Sequence, residues 1–524
     1  MRAETLKRHI DLHAWVGILT GLALFVAFFA GALNMFHHEL HHWQEPAATE
    51  TAAPDANMQA LLDTVVANNP DAGNWMFLIP GDDPSAIWQE TVDGESVWHT
   101  EHASDFNDAG EKVAPAGGSG LSEFVNELHF ELAIPKVGLY FMGVVSVLYG
   151  AALIGGLVIH WSRLKKEFFA LKHQGNLRRY WKNLHNLVGV ISYPFHVIFA
   201  WTGAAMGCLA IVTLVMGGLV FGPQFQPAFT EASEAWPTPE ASGNPAAMAS
   251  VDDYLAGARQ AMPELDVGWI ELQQYGDENA VVDVGGSVHG KVAHYSHVVM
   301  RGDNAELLTV SGPGQRSFNH FLMAPVYSLH FGDYGGLFVR LMYFALALLG
   351  CLLFFSGNVM WCERRTDRQG PSRSAAFMLR LTLGVTFGVM AGLAMAFIVS
   401  KPMLYSPWQA WTAPAEKIAF LVTLLIALAA AFRAAPLTTA GLWPKVCAGL
   451  YLLAPLVQGA LEGFHTWLEP DFLLVNGSLL AVAASLILVD RLRRRRLRRA
   501  APHPLWVGAA HPVTAANPVD PDPA

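Results

Sequence analysis

Charge is scarce in this chain: only 15% of its 524 residues are Asp, Glu, Lys or Arg, against 52% hydrophobic residues. A soluble protein of this length carries more surface charge than that, so membrane is the leading class. Cysteine is scarcer still. The four present, Cys208, Cys351, Cys362 and Cys447, all lie in or beside apolar runs, which excludes an external scaffold built on disulfides. No CxxCH occurs, so covalent c-type haem is excluded, and no cysteine cluster suits an iron–sulfur centre. Also missing are GxGxxG after a strand, GxxxxGK[ST] and GxSxG. Nothing therefore announces a nucleotide or flavin site or a serine nucleophile.

What the chain has instead is apolar length. A spanning helix needs about 20 mostly apolar residues, and eight runs qualify, near 14–36, 138–160, 186–219, 337–361, 377–399, 417–435, 440–460 and 472–490. Basic residues follow alternate spans: Arg2, Lys7 and Arg8 before the first, Arg163 to Lys182 after the second, Arg364 to Arg373 after the fourth, and RLRRRRLRR after the eighth. Short Lys/Arg-rich segments stay cytoplasmic, so both termini are expected inside and the two long inserts outside. The first insert is strongly acidic, with Lys112 and Lys136 its only Lys or Arg, and the net charge of -11 argues against a nucleic-acid partner. The first apolar run exceeds the roughly 7–15 residues of a signal-peptide core and ends in FHHELHHW, which reads as an uncleaved span.

The front of the chain is a tandem repeat. LHAWVGILTGLALFVAFFAGAL from Leu12 matches LHNLVGVISYPFHVIFAWTGAA from Leu184, aligning His13 with His185, Gly17 with Gly189 and Gly31 with Gly203. LHFELAIPKVG at Leu128 matches LHFGDYGGLFV at Leu329. Gly156 and Gly357 lie equally far beyond His129 and His330, and the spans end at Trp161 and Trp361. Each insert holds a helical segment, 57–69 or 251–262, followed by alternating strand segments. The expected fold is thus a mainly α membrane protein: a bundle of about eight spans, a parallel repeat in the first four, and two small α+β domains. The expected divisions are 1–36 (first span), 37–136 (external), 137–161 (span), 162–184 (loop), 185–220 (span), 221–335 (external), 336–361 (span), 377–490 (four more spans) and 491–524 (basic, then disordered tail). Parallel copies imply a pseudo-two-fold axis along the membrane normal.

That axis can bring His13 to His185 at the inner face, and His129 to His330 at the outer. Two facing neutral imidazoles can fill both axial positions of a low-spin b-type haem, a ligation suited to electron transfer. For a single interfacial histidine, partial hydration is the ordinary explanation; four Leu-His pairs at equivalent places favour ligation. His196 lies inside the third span, where an ionisable group is costly. It either joins or replaces His185 as a ligand, or hydrogen bonds within the bundle. His160 reads as interfacial. The cluster His37, His38, His41 and His42 reads as solvated rather than metal-binding, and Arg340 as a propionate partner or a snorkelling side chain. Arg178, Arg179 and Lys182 could serve the inner haem, although orientation already explains them. The repeat glycines could make room for a macrocycle or for close helix packing. Trp75, Trp88 and Trp98 line a pocket or, more simply, fill a small core.

These marks, Arg8 with Leu12, His13 and Gly17, then Leu128–His129, Leu184–His185 with Gly189, and Leu329–His330, resemble the PepSY-associated transmembrane helix family over roughly residues 5–365. The resemblance implies PepSY-like modules in the periplasm, a multi-pass protein of the bacterial inner membrane, and two b-type haems held by His13, His185, His129 and His330. It further implies a ferric-siderophore reductase: an oxidoreductase that passes electrons from a quinol or separate reductase to a ferric siderophore or other ferric chelate for iron uptake. Two other classes stay open, a haem-free PepSY sensor or protease regulator, and a transporter. Against the transporter, the first four spans carry no Asp or Glu in their apolar interiors. The four C-terminal spans lie outside the recognised core and could bind quinone, recruit a partner or stabilise the bundle.

Overall fold

The computed structural model describes residues 3–45, 58–81, 84–92, 95–107, 110–112, 118–161, 177–225, 239–292, 295–314, 318–367, 369–498 and 503–507. Its main helices, in chain order, are α1 (Ala3–Asn34), α2 (His37–Gln44), α3 (Met58–Asn68), α4 (Leu121–Glu131), α5 (Gly138–His160), α6 (Leu177–Ile191) and α7 (Tyr193–Val215). They continue with α8 (Val251–Ala261), α9 (Phe318–Phe331), α10 (Gly336–Glu363), α11 (Arg373–Leu404), α12 (Thr412–Arg433), α13 (Pro436–Glu462) and α14 (Pro470–Leu497). Residues 1–47, 117–207 and 344–524 form one compact unit, and 48–116 with 208–343 form a second.

Among the described residues seven helices are long and apolar enough to cross a membrane, and the bent pair α6–α7 makes eight if it counts as one span. The chain is a mainly α-helical, multi-pass membrane protein. The third run, read from sequence as one helix, bends by 70° where α6 meets α7. Pro194 explains the break: it has no N–H for the carbonyl four residues back, and its ring crowds that turn. Within the first unit α1 packs on α5, α4 and α11, and α11 packs on α12 and α13. The α11–α12 contact is close because Gly384, Gly388 and Gly392 recur every fourth residue; a Cβ on any of them would come within 3 Å of an α12 side chain.

The second unit holds the α+β part. Seven antiparallel strands run in the order β3-β2-β1-β4-β5-β6-β7, namely β1 Trp75–Ile79, β2 Ser85–Val92, β3 Glu95–His102, β4 Asp266–Gln273, β5 Val281–Ser287, β6 Tyr295–Arg301 and β7 Leu307–Ser311. The two α+β modules do not keep separate sheets: β1 of the first pairs with β4 of the second, with Met76 opposite Leu272 and Phe77 opposite Glu271. Helices α3 and α8 cover one face, burying Leu62 and Tyr254 against Met76, Leu78, Ile270 and Val284. Ser250 caps α8, its hydroxyl accepting from the Asp253 amide. Trp88 belongs to this core, whereas Trp75 and Trp98 pack on each other with tilted planes, ring centres 5.4 Å apart, on the opposite face.

Candidate functional site

The first unit contains a cavity of about 1220 Å³, above the roughly 300–1,000 Å³ typical of ligand pockets. His13 and His185 both line it, with ring centres 6.3 Å apart and planes at 76°. The repeat positions each ring in the same way. The Nδ1–H of His13 donates to the Ala152 carbonyl at 2.8 Å, and that of His185 to the Leu353 carbonyl at 3.2 Å, with the Ser356 hydroxyl at 3.1 Å. A carbonyl only accepts, so each ring carries its proton on Nδ1 and keeps an Nε2 lone pair. Ala152 and Leu353 stand four residues before Gly156 and Gly357, and a Cβ on these glycines would lie 3.4 Å and 3.3 Å from the Cε1 atoms of His13 and His185.

This donor set fits haem iron. Two imidazoles on opposite sides of one metal, at about 2.0–2.1 Å per bond and about 1.1 Å from nitrogen to ring centre, have centres roughly 6 Å apart. The Nδ1–H to carbonyl bond is the outer-shell contact that metal-binding histidines ordinarily carry. Gly17 lines the cavity, and a Cβ there would meet nothing within 4 Å. Gly189 and Gly203 serve packing instead, since a Cβ would meet Leu353 at 3.4 Å and Ser146 at 2.9 Å. Lys182, Arg364 and His160 also line the cavity. Arg364 was legible only as an orientation signal, three residues after the repeat tryptophan Trp361. Next to it, the Arg365 guanidinium lies 3.8 Å from the Trp361 ring centre and 5.3 Å from that of Trp15. The side chains of Arg178 and Arg179 lie outside the described residues.

His129 repeats the pattern further along α1. Its Nδ1–H donates to the Ala27 carbonyl at 2.8 Å, and a Cβ on Gly31 would fall 2.6 Å from the same nitrogen. Burial lowers its pKa from the ordinary 6.5, which keeps the ring neutral and competent as a ligand at pH 7. His330 and Arg340 belong to the second unit. His330 sits in the last turn of α9, before the left-handed Gly332 (φ 68°), just as α4 ends after His129 at the left-handed Leu132 (φ 57°). Arg340 is half-buried on the second turn of α10.

His196 does not line the cavity shared by His13 and His185. It is fully buried among Phe28, Phe195 and Phe354, with Nδ1 hydrogen-bonded to the Tyr149 hydroxyl. The histidine cluster of α2 is used for docking. His42 Nδ1 is 2.7 Å from Asp471 of α14, His41 is 3.3 Å from Glu45, and no group of three or more potential ligands converges among the described residues.

The pattern of the PepSY-associated TM region matches residues 10–364, which include every Leu-His pair. The chain belongs to this family. An uncharacterized protein of Pseudomonas aeruginosa is 27% identical over 389 residues, covering 70% of this chain and 94% of its own. The family match ends near the end of α10, so α11 to α14 are additions to the family core.

Proposed function

We propose that this PepSY-associated membrane protein is a b-type haem protein of the bacterial inner membrane that carries electrons to a ferric siderophore or other ferric chelate in the periplasm. The supporting observation is the His13–His185 pair, with matching tautomers and a centre-to-centre spacing of 6.3 Å inside a cavity of sufficient volume. A b-type haem held by His13 and His185 would supply one-electron transfer. The protein's part is positioning. Ala152 and Leu353 orient the imidazoles and raise their basicity through Nδ1. Lys182 and Arg364 are placed to neutralise propionates, a pairing that Arg makes bidentately. His129 of the first unit is a further candidate ligand, and the sequence expectation adds His330 and Arg340, which belong to the second. No general acid or base is needed, because hard oxygen ligands hold ferric iron more tightly than ferrous, and reduction loosens the chelate. Electrons arrive from a quinol or a separate reductase.

The test is an absorption spectrum of the detergent-purified protein, oxidised and then dithionite-reduced. We expect a Soret band that shifts on reduction, and His13→Ala and His185→Ala should each remove about half of the bound haem, by the two-site ligation logic. Adding ferric siderophore to reduced protein should then restore the oxidised spectrum. A protein without a Soret band, or one whose band survives loss of all four Leu-His histidines, would sink the reading.

A further inference from the structure

Helix α2 is short, and its two faces carry different chemistry. One face is fixed: Leu40 and Trp43 are buried, Trp43 Nε1 donates to Asn476 of α14 at 3.1 Å, and the Gln44 side chain accepts from the Ser122 amide of α4 at 2.7 Å. The exposed face is histidine. His38 and His42 stand four residues apart and so share one side of the helix. Their ring centres lie 4.4 Å apart with planes at 58°. Residues 38–42 read HELHH, the H-E-x-x-H spacing that sets two metal-ligating imidazoles on one helical face. A zinc protease also needs that glutamate as its base, and Glu39 is only 5% exposed. What the pattern retains here is its ligand pair.

Docking explains only part of this face. The His42 Nδ1–H donates to Asp471 at 2.7 Å, in the first turn of α14, where the helix dipole favours a carboxylate. One histidine suffices for that bond, and among the described residues His38 has no hydrogen-bond partner; its contact is the His42 ring. The Asp471 bond also fixes the proton on Nδ1 and leaves the Nε2 lone pair free, the outer-shell arrangement that metal-binding histidines carry. Two imidazoles bound side by side through Nε2, at about 2.0–2.1 Å per bond and about 1.1 Å from nitrogen to ring centre, have centres roughly 4.4–5.2 Å apart for angles of about 90–110° at the metal. The observed 4.4 Å falls within that range. Among the described residues no third protein ligand converges on the pair, which leaves the other coordination positions to water. Open positions suit a site that takes up an ion and gives it back. Helix α4, which holds α2 through Ser122 and α1 through the Asn126–Asn34 bond, also carries His129.

We propose that His38 and His42 form a divalent transition-metal site, with Asp471 orienting the second ligand, and that its ion is the ferrous iron set free when the chelate is reduced. Imidazole suits ferrous iron as it suits zinc, copper and nickel, whereas hard oxygen ligands suit ferric iron. Reduction therefore changes which ligands the ion prefers. The iron assignment rests on the reading above; the metal site rests on α2 and Asp471.

The full-length protein in detergent, purified on a tag without histidine, is titrated calorimetrically with Zn²⁺ and, anaerobically, with Fe²⁺. Zn²⁺ should bind, and Fe²⁺ should compete for the same site more weakly, as the order of divalent affinities requires. His38→Ala should lower the zinc affinity of that site roughly tenfold or more, yet leave the thermal midpoint of the metal-free protein unchanged, because no bond of the fold depends on His38. Asp471→Asn keeps both ligands and should still weaken zinc binding by about tenfold. Added Zn²⁺ should raise the midpoint of the unaltered protein more than that of the His38→Ala variant. No zinc binding, binding that His38→Ala leaves intact, or full affinity in the Asp471→Asn variant would overturn the site. Zinc binding without competition from Fe²⁺ would overturn the iron assignment. A preparation with no Soret band and an intact zinc site would defeat the reductase reading and leave the metal site standing.

Discussion

At the scale of single residues, the function proposed here depends on small groups that let imidazoles approach a helix. Gly31 is the sharpest case: any side chain there must displace the His129 ring, because a Cβ would lie 2.6 Å from its Nδ1. Gly31→Ala should therefore lower stability by about 1–3 kcal/mol through overpacking and break the bond to Ala27. The thermal midpoint of the detergent-solubilised protein checks this, and an unchanged midpoint would show that the ring has room to move. Asp277 makes a different kind of contact. Its carboxylate accepts from the amides of Ser242, Gly243 and Asn279 at 2.8–3.0 Å, and these bonds, that from Asn279 first, pull its pKa down to about 2. A depressed carboxyl pKa gives stability that is complete above the ordinary 3.8 and is lost as pH falls through about 2. Amide exchange at Ser242 and Gly243, corrected for intrinsic rate, should rise across that window, and Asp277→Asn should remove the pH dependence.

Among the elements, the four added spans are fastened by a buried ion pair. Lys401 of α11 and Glu462 of α13 are 2.7 Å apart and both fully buried, and the same ammonium donates to the Glu45 carbonyl beyond α2 at 2.7 Å. Trp43 of α2 also donates to Asn476 of α14 at 3.1 Å. Removing one partner strands a buried charge, so Lys401→Met should cost about 3–5 kcal/mol, whereas Lys401→Met with Glu462→Gln should recover most of it. Thermal midpoints of the two variants decide; equal losses would mean that the pair is not coupled. Nothing local in the sequence pairs Glu462 with Lys401, because the two lie 61 residues apart. The same limit governs the rest of the fold. The Leu-His pairs, the helices near 57–69 and 251–262, and five of the strands follow local periodicity and were legible. The polar β3 (ESVWHTEH) and the edge strand β7 do not alternate strongly enough to be read, and the β1–β4 pairing that fuses the modules is non-local. The bend between α6 and α7 did have a local signal in Pro194, outweighed by the apolar run around it.

For the whole molecule the repeat matters because it places ligand-competent histidines in series. Ala27, which orients His129, stands 14 residues beyond His13 on α1, about 21 Å at roughly 1.5 Å per residue, within a hydrocarbon core about 30 Å thick. Tyr149 and Phe354, which line the His13–His185 cavity, also pack on Phe28, the neighbour of Ala27, so apolar and aromatic side chains fill the interval. Two sites in series respond to mutation differently from two independent ones. If electrons must pass both, breaking either stops the flow, and breaking both adds nothing, the non-additivity expected of residues that act as a unit. In right-side-out membrane vesicles loaded with reductant, His185→Ala and His129→Ala should each lower reduction of an impermeant external ferric chelate roughly tenfold or more. The double variant should match the slower single variant. A double variant whose loss equals the product of the two single losses would mean that the sites act independently, and a serial path across the membrane would have to be abandoned.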